Sequence, residues 1–232
     1  MSDDGADGTG GADGAAEADR ETVREGYDAL AAAYDAAREP DAVERAAVSD
    51  LRERLAEEAA SRDDGAATER VSLLDAGCGA GRAVLEAFVD EDRVEAVGVD
   101  LSMAQLRLAR RHAPVAAGDL TSLPVADDAV DAVTAFHSVI HVPTADHPDV
   151  YREFARVLRP GGRLLLTAGR EAWAGRNDDW LDAGAAMEWS FPALEATREH
   201  LRDAGFSVRE ERTTGDELGG GAWALLSCRL DR

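Results

Sequence analysis

From Val71 onward, short apolar runs alternate with amphipathic stretches of helical period. VSLLDAG (71–77) predicts a strand and GRAVLEAFV (81–89) a helix; VEAVGVD (94–100) predicts a strand and SMAQLRLARRH (102–112) a helix. PVAAGD (114–119) and AVDAVTAF (129–136) follow as strands, then DHPDVYREFARVL (146–158) as a helix. Pro160-Gly161-Gly162 is expected to turn the chain into the strand RLLLTA (163–168). ALEATREHLRDAGF (193–206) reads as a helix closed by Gly205. SVREERTT (207–214) and AWALLSCRL (222–230) are expected to pair as an antiparallel hairpin. This β–α alternation predicts a parallel sheet covered on both faces by helices.

Upstream, Thr22–Arg38 and Asp41–Ser61 read as two helices separated at Pro40. Val43, Ala47, Leu51 and Leu55 mark one buried stripe of the second. Residues 1–19 hold glycine, alanine and acids without a large apolar side chain, so they are expected to be disordered. That segment has no basic region followed by an apolar core, so it does not read as a signal peptide. No run approaches the ~18 apolar residues of a transmembrane helix.

Composition narrows the partners. Lys+Arg total 25 against 47 Asp+Glu, a net charge of −22, and all the bases are arginine. Such a chain repels polyanions and lacks a basic stripe with interleaved aromatics, which argues against nucleic-acid and membrane-surface partners. With one isoleucine (Ile140) and one asparagine (Asn177), the balance resembles that of proteins from salt-loving archaea with GC-rich DNA. There, molar salt shortens the screening length to ~3 Å and self-repulsion becomes tolerable. Cys78 and Cys228 have neither disulfide-scaffold nor metal-site spacing, which suits a reduced cytoplasmic setting.

The candidate chemistry begins at LLDAGCGAGR (73–82), a strand-to-helix junction. Gly77, Gly79 and Gly81 permit a tight turn and a close backbone approach to a ligand, and a helix starting near Arg82 would aim free N–H groups at it. A dinucleotide fingerprint read from Gly77 requires Gly or Ala where Arg82 stands. Asp75 would also repel a pyrophosphate while favouring an ammonium group. A P-loop requires a lysine, which the chain lacks. Asp100, ending the second strand, is placed to accept both hydroxyls of a ribose. Asp119, ending the third, is placed to accept from an exocyclic amine such as that of adenine. Each acid could alternatively cap the turn that follows it.

DAGCGAG, GVDLS, GDLTSLPVADDAVDAV and REFARVLRPGGRLLL together resemble successive motifs of the class I S-adenosylmethionine-dependent methyltransferases, and in particular their small-molecule "type 11" branch, over about Val71–Thr167. The resemblance implies a Rossmann-like, seven-stranded, mostly parallel α/β sheet with an antiparallel last strand, helices on both faces and a helical N-terminal extension. It implies S-adenosylmethionine as cofactor. Asp75 and Gly77 would serve its methionine moiety and Asp100 its ribose. Leu101 and Met103 would flank adenine, and Asp119 with the Leu120 backbone would read its edge; Met103 also fits core packing beside Leu106. Tyr27 and Tyr34, seven residues apart on one helix face, would lie over the cofactor, unless that helix merely packs.

The acceptor is expected past the fourth strand, at Phe136–His141. The Asn/Asp-Pro-Pro-aromatic signature of nucleobase N-methylation is absent there. His137 and His141 are the candidate bases, since imidazole titrates near neutrality, although His137 also fits the cofactor pocket and His141 the acceptor side. No third ligand has a spacing that would make them a metal site. Residues 169–192 carry Trp173, Met187 and Trp189 and are expected to form a lid over an apolar or flat acceptor, or else a flap sealing the domain. The boundaries expected are thus a tail at 1–19 and one methyltransferase domain at 20–232. Within it lie N-terminal helices at 20–62, a cofactor-binding core at 70–168, the lid at 169–192, and a C-terminal helix and hairpin at 193–232. The function implied is methyl transfer to a small molecule, mainly by alignment and desolvation. The alternatives are a catalytically inactive cofactor-binding regulatory or partner protein and, less well matched, an NAD-dependent oxidoreductase.

Overall fold

The computed structural model describes residues 17–62, 70–215 and 221–232. Seven strands form one sheet: β1 (Val71–Ala76), β2 (Val94–Asp100), β3 (Val115–Ala117), β4 (Val130–Ala135), β5 (Leu158–Gly169), β8 (Phe206–Gly215) and β9 (Ala222–Leu230). Their order is β3-β2-β1-β4-β5-β9-β8, with β1 to β5 parallel and β9 antiparallel to both of its neighbours. β4 is buried along its whole length, as a central strand covered on both faces must be.

Two apolar cores fill the two faces. On one, α2 (Ala42–Arg62) lays Ala47, Leu51 and Leu55 against Val71, Leu73 and Leu85. On the other, α4 (His147–Val157) and α5 (Leu194–Asp203) pack Tyr151, Phe154 and Leu201 against Leu164, Leu166 and Leu226. Each such side chain removed from water contributes roughly 1.5–3 kcal/mol. α5 ends at Gly205, whose φ of +93° closes the helix as its position predicts.

Several local expectations are corrected. The helix expected at 81–89 is only a run of turns with a 3-10 segment at Leu85–Phe88. Gly81 stands at φ +83° ahead of it, and Val84, Leu85 and Phe88 are all buried there without a regular α-helix. No α-helix starts at Arg82 to aim free N–H groups at a ligand. α3 (Met103–Ala109) is shorter than the stretch 102–112; Ser102 caps it, its side chain accepting from the Gln105 N–H. Pro160-Gly161-Gly162 is not a turn before a strand. It is a bulge within β5, where residues 159–162 stand opposite Asp131 alone.

The acidic tail expected through Asp19 lies outside the described residues up to position 16. Ala18 is buried, its N–H donating to Ser190 Oγ, and Asp19 caps α1 (Arg20–Ala37) by accepting from the Thr22 N–H. The 169–192 segment forms a separate antiparallel hairpin, β6 (Trp173–Asn177) with β7 (Met187–Phe191). A third apolar cluster, Val23, Leu30, Trp180 and Met187, joins this hairpin to α1.

Candidate functional site

The carboxyl ends of β1, β2 and β4 open onto a cavity of about 90 Å³. Parallel α/β sheets bind ligands at this edge. Two glycines of the first loop shape its floor. At Gly77 (φ +78°) a Cβ would fall 2.2 Å from that of Ser138, so the loop can pass β4 only with a bare backbone. At Gly79 (φ +52°) a Cβ would instead project into open space, meeting only Gln105 Oε1 at 3.9 Å and Tyr34 Cε1 at 4.0 Å. The loop is held by Gly77 and Cys78 N–H groups donating to the Val99 carbonyl. Asp100 completes the floor: one carboxylate oxygen accepts from the Gly79 N–H and the other from the Ser102 N–H, both at 2.8 Å. Burial pushes its carboxyl above the usual carboxylate range.

The roof is α1. Tyr27 and Tyr34 both line the cavity, their rings in edge contact at 5.2 Å. Three polar ties fix the helix. Asp28 accepts from Ser102 Oγ and the Ala104 N–H, Asp35 pairs with Arg82 and Arg111, and Arg20 pairs with Asp119 and Asp146. Arg82, expected at the cofactor, is therefore a fastener for the roof and does not line the cavity. Asp119 does line it, but Arg20 already contacts one of its oxygens at 3.0 Å and Thr121 donates to the other.

Leu101, Leu120, His137 and His141 line the cavity as expected, whereas Gly81, Met103 and Asp75 do not. Met103 is 44% exposed at the start of α3, on neither an adenine wall nor the core. Asp75 lies behind the loop, buried and accepting from Thr134 Oγ1 at 2.8 Å. Burial raises its carboxyl to about 7, and the nearby Asp100 adds to the rise. Met187, expected at the acceptor, is fully buried in the α1–hairpin cluster. Trp173 and Trp189 line a second, larger cleft.

The two histidines turn to different partners. At the end of β4, His137 adopts φ +49°, held by its N–H donating to Thr167 Oγ1 at 2.6 Å. Its Nε2 bonds Glu44 Oε1 at 2.7 Å, and Glu44, with no exposure at all, also accepts from Arg38 through both oxygens at 2.8 Å. Despite burial, His137 and Arg38 hold the Glu44 carboxyl below its usual range, so it is ionised. Since a carboxylate only accepts, Nε2 carries the proton; Nδ1 of this buried ring has no hydrogen-bond partner among the described residues.

His141 is fixed by two contacts of the opposite kind. Nδ1 lies 2.8 Å from the Glu188 carbonyl and must donate to it; Nε2 is thereby an acceptor, 2.8 Å from the Tyr27 hydroxyl. Burial lowers the ring to about 4, so it is neutral at pH 7. The Glu188 side chain accepts from the Asp19 N–H and pairs with Arg176, linking the start of α1 to the hairpin. Glu44 and Glu188 escaped the sequence reading. The one available signal was Glu44, an acid beside the Ala47–Leu51–Leu55 stripe.

The floor offers what a nucleoside cofactor needs: bare backbone at Gly79 and an acceptor at Asp100. Gln105, buried beside Gly79, has neither amide atom hydrogen-bonded among the described residues. Comparison with known proteins agrees with this chemistry. Residues 74–166 match a family model described as a methyltransferase domain. Methyltransferase GfsG of Streptomyces halstedii is 37% identical over 123 residues, which are 49% of this chain and 42% of that protein. The 27-O-demethylrifamycin SV methyltransferase of Amycolatopsis mediterranei is 35% identical over 150 residues, 57% and 53% respectively. The chain thus spans about half the length of these curated relatives. Among solved structures, the methyltransferase in complex with the Haloferax volcanii Trm112 methyltransferase activator aligns over 90% of this chain and 98% of its own. Its TM-score is 0.61 at 22% identity, a likeness of fold. Residues 74–166 thus resemble a methyltransferase domain, and the sheet that contains them has the fold of solved methyltransferases.

Proposed function

We propose that the whole chain transfers the methyl group of S-adenosylmethionine to a small-molecule acceptor that enters from the hairpin side, with residues 20–232 acting as one unit and 169–192 as its lid. The observation that carries this reading is that the glycine loop with Asp100 and the Tyr27–His141 pair face one cavity from opposite sides. Asp100 would hold the ribose and Leu101 a face of adenine, with Asp119 and Leu120 at its edge. Gly77 and Gly79 would serve the methionine moiety, with the Asp75 carboxyl behind them, and Tyr34 would cover it.

When bound, the cofactor supplies an electrophilic methyl on a cationic sulfur. The residues around it align and dry the site, which can be worth ~7–11 kcal/mol of barrier. His141, whose Nε2 accepts from the Tyr27 hydroxyl at rest, orients an acceptor hydroxyl that takes that hydroxyl's place and receives its proton late. A ring titrating at about 4 is too weak a base to strip that proton beforehand. His137, tied to Glu44, belongs on the cofactor side. The relatives named above include one that methylates 27-O-demethylrifamycin SV, and no helix among the described residues is long and apolar enough to cross a membrane. The all-arginine acidic composition and two buried free cysteines favour a salt-rich, reducing cytoplasm.

Calorimetric titration of S-adenosylmethionine, S-adenosylhomocysteine and NAD at molar KCl tests the cofactor. Micromolar binding of the sulfur nucleosides without NAD is expected, and silence toward both sulfur nucleosides in a folded sample would overturn the reading. Transfer of label from methyl-labelled cofactor into extracted small molecules separates an enzyme from a binding protein that has lost turnover.

A further inference from the structure

Beside the cofactor cavity lies a cleft of about 720 Å³, open to solvent, between the β6–β7 hairpin and the ends of β5 and β9. All four tryptophans of the chain line it, Trp173, Trp180, Trp189 and Trp223, together with Phe191. Their rings form one continuous series of contacts. Trp180 meets Trp189 at 5.3 Å, Trp189 meets Trp173 at 6.1 Å, Trp173 meets Phe191 at 6.0 Å, and Phe191 meets Trp223 at 5.0 Å. Trp173 is 49% exposed, a large apolar surface left in contact with water.

The inner end of the cleft abuts the cofactor cavity. Ile140 lines the cleft and His141 the cavity; Trp180 touches Tyr27 and Tyr34, and Trp189 touches His141. Both arginines that line the cleft are paired with acids. Arg176 pairs with Asp178 and Glu188, and Arg170 with Glu211, while Glu171 adds a further acid. A phosphate or carboxylate placed here would find no uncompensated cation among the described lining residues and would meet acids instead. Flat apolar rings, by contrast, gain both area and ring–ring contact on such a wall.

We propose that this cleft is the acceptor site and that the acceptor is an uncharged, planar ring compound bearing a hydroxyl group, stacked along the tryptophans with its hydroxyl toward His141. This rests on the methyl-transfer reading above and specifies its substrate class. In the transfer so served, an O–CH3 bond forms as the S–CH3 bond breaks, the electron pair stays on sulfur, and the hydroxyl proton passes to Nε2 of His141, where the acceptor hydroxyl has replaced that of Tyr27.

Two probes that share one ring system test it: 1-naphthol and 1-naphthyl phosphate, titrated calorimetrically into the full chain saturated with S-adenosylhomocysteine in molar KCl. The naphthol is expected to bind at least about tenfold tighter than its phosphate. Trp173→Ala is expected to weaken the naphthol about tenfold, with S-adenosylhomocysteine affinity and circular dichroism unchanged. Equal or tighter binding of the phosphate, no naphthol binding at millimolar concentration, or indifference to Trp173→Ala would each overturn the proposal while the cofactor reading stands. Loss of S-adenosylhomocysteine binding itself in the unmodified chain would instead overturn the reading beneath it.

Discussion

The floor and the roof of the cofactor cavity are built by opposite means. The floor is local: a glycine loop, then an acid at the end of the next strand, with Asp100 bonded to the Gly79 and Ser102 backbones. Its polar groups are mostly satisfied by main chain, so its geometry follows once the sheet forms. The roof is long-range. α1 is held by ion pairs to residues far along the chain, and behind the cavity wall Glu44 of α2 reaches His137 across 93 positions. A floor of backbone contacts resists small changes elsewhere; a roof of side-chain charges depends on each partner.

The largest effect should come from Glu44→Ala. It takes the carboxylate from a buried guanidinium and a buried imidazole, which in such sites costs about 3–5 kcal/mol. Urea unfolding in molar KCl is expected to show a loss of that size. A change under about 1 kcal/mol would mean that the roof is held without this cluster.

Asp100→Asn attacks the floor. The amide cannot accept from both backbone N–H groups, and it loses charge toward ribose hydroxyls. S-adenosylhomocysteine affinity is expected to fall about 100-fold while unfolding free energy changes by about 1 kcal/mol. Unchanged affinity would remove Asp100 from the ribose. The two variants should therefore separate stability from binding.

That contrast also explains what was legible beforehand. The seven strands follow from apolar runs of strand length and the turn residues between them, and the cavity residues Gly77, Gly79 and Asp100 follow from spacing within single β–loop units, whereas Leu120 comes only from the family resemblance. Arg82 lies outside the cavity lining because its guanidinium turns to Asp35 on α1, a direction that spacing alone does not carry. Met187 was misassigned because a methionine among tryptophans suits a ligand wall as well as a core, and the contact of the hairpin with α1 decided it. Glu188 was invisible because it acts at the His141 ring 47 residues away, through a backbone carbonyl that any residue could supply.

Titration offers a third contrast, with opposite signs. Burial lowers His141 and His147 to about 4 from 6.5, so the unfolded chain takes up protons first as pH falls. Stability should drop from about pH 6.5 toward 4, by up to a few kcal/mol. Asp75, raised from 3.8 to about 7, holds a proton that the unfolded chain has released. Its contribution is fully present below about 3.8 and is lost as pH rises through 7. Thermal unfolding of Asp75→Asn is expected to show the variant gaining on the parent between pH 4 and 7, with the gap constant above. A gap independent of pH would mean that Asp75 is ionised throughout.

The smallest perturbation sits where floor and roof meet. Tyr27→Phe deletes one hydroxyl and keeps the ring contacts with Tyr34, Trp180 and His141. Losing a single hydrogen bond to a neutral acceptor should cost about 1 kcal/mol of stability. His141 keeps its tautomer, since the Glu188 carbonyl still takes the Nδ1 proton. What changes is that Nε2 no longer has a competing donor. If the tyrosine only packs, the cost in kcat and in stability should be alike and small. If the hydroxyl helps to order the acceptor's approach, kcat should fall well beyond the stability loss while S-adenosylhomocysteine affinity holds. Methyl transfer and calorimetry on one variant therefore decide whether the roof merely encloses the cofactor or takes part in presenting the acceptor to it.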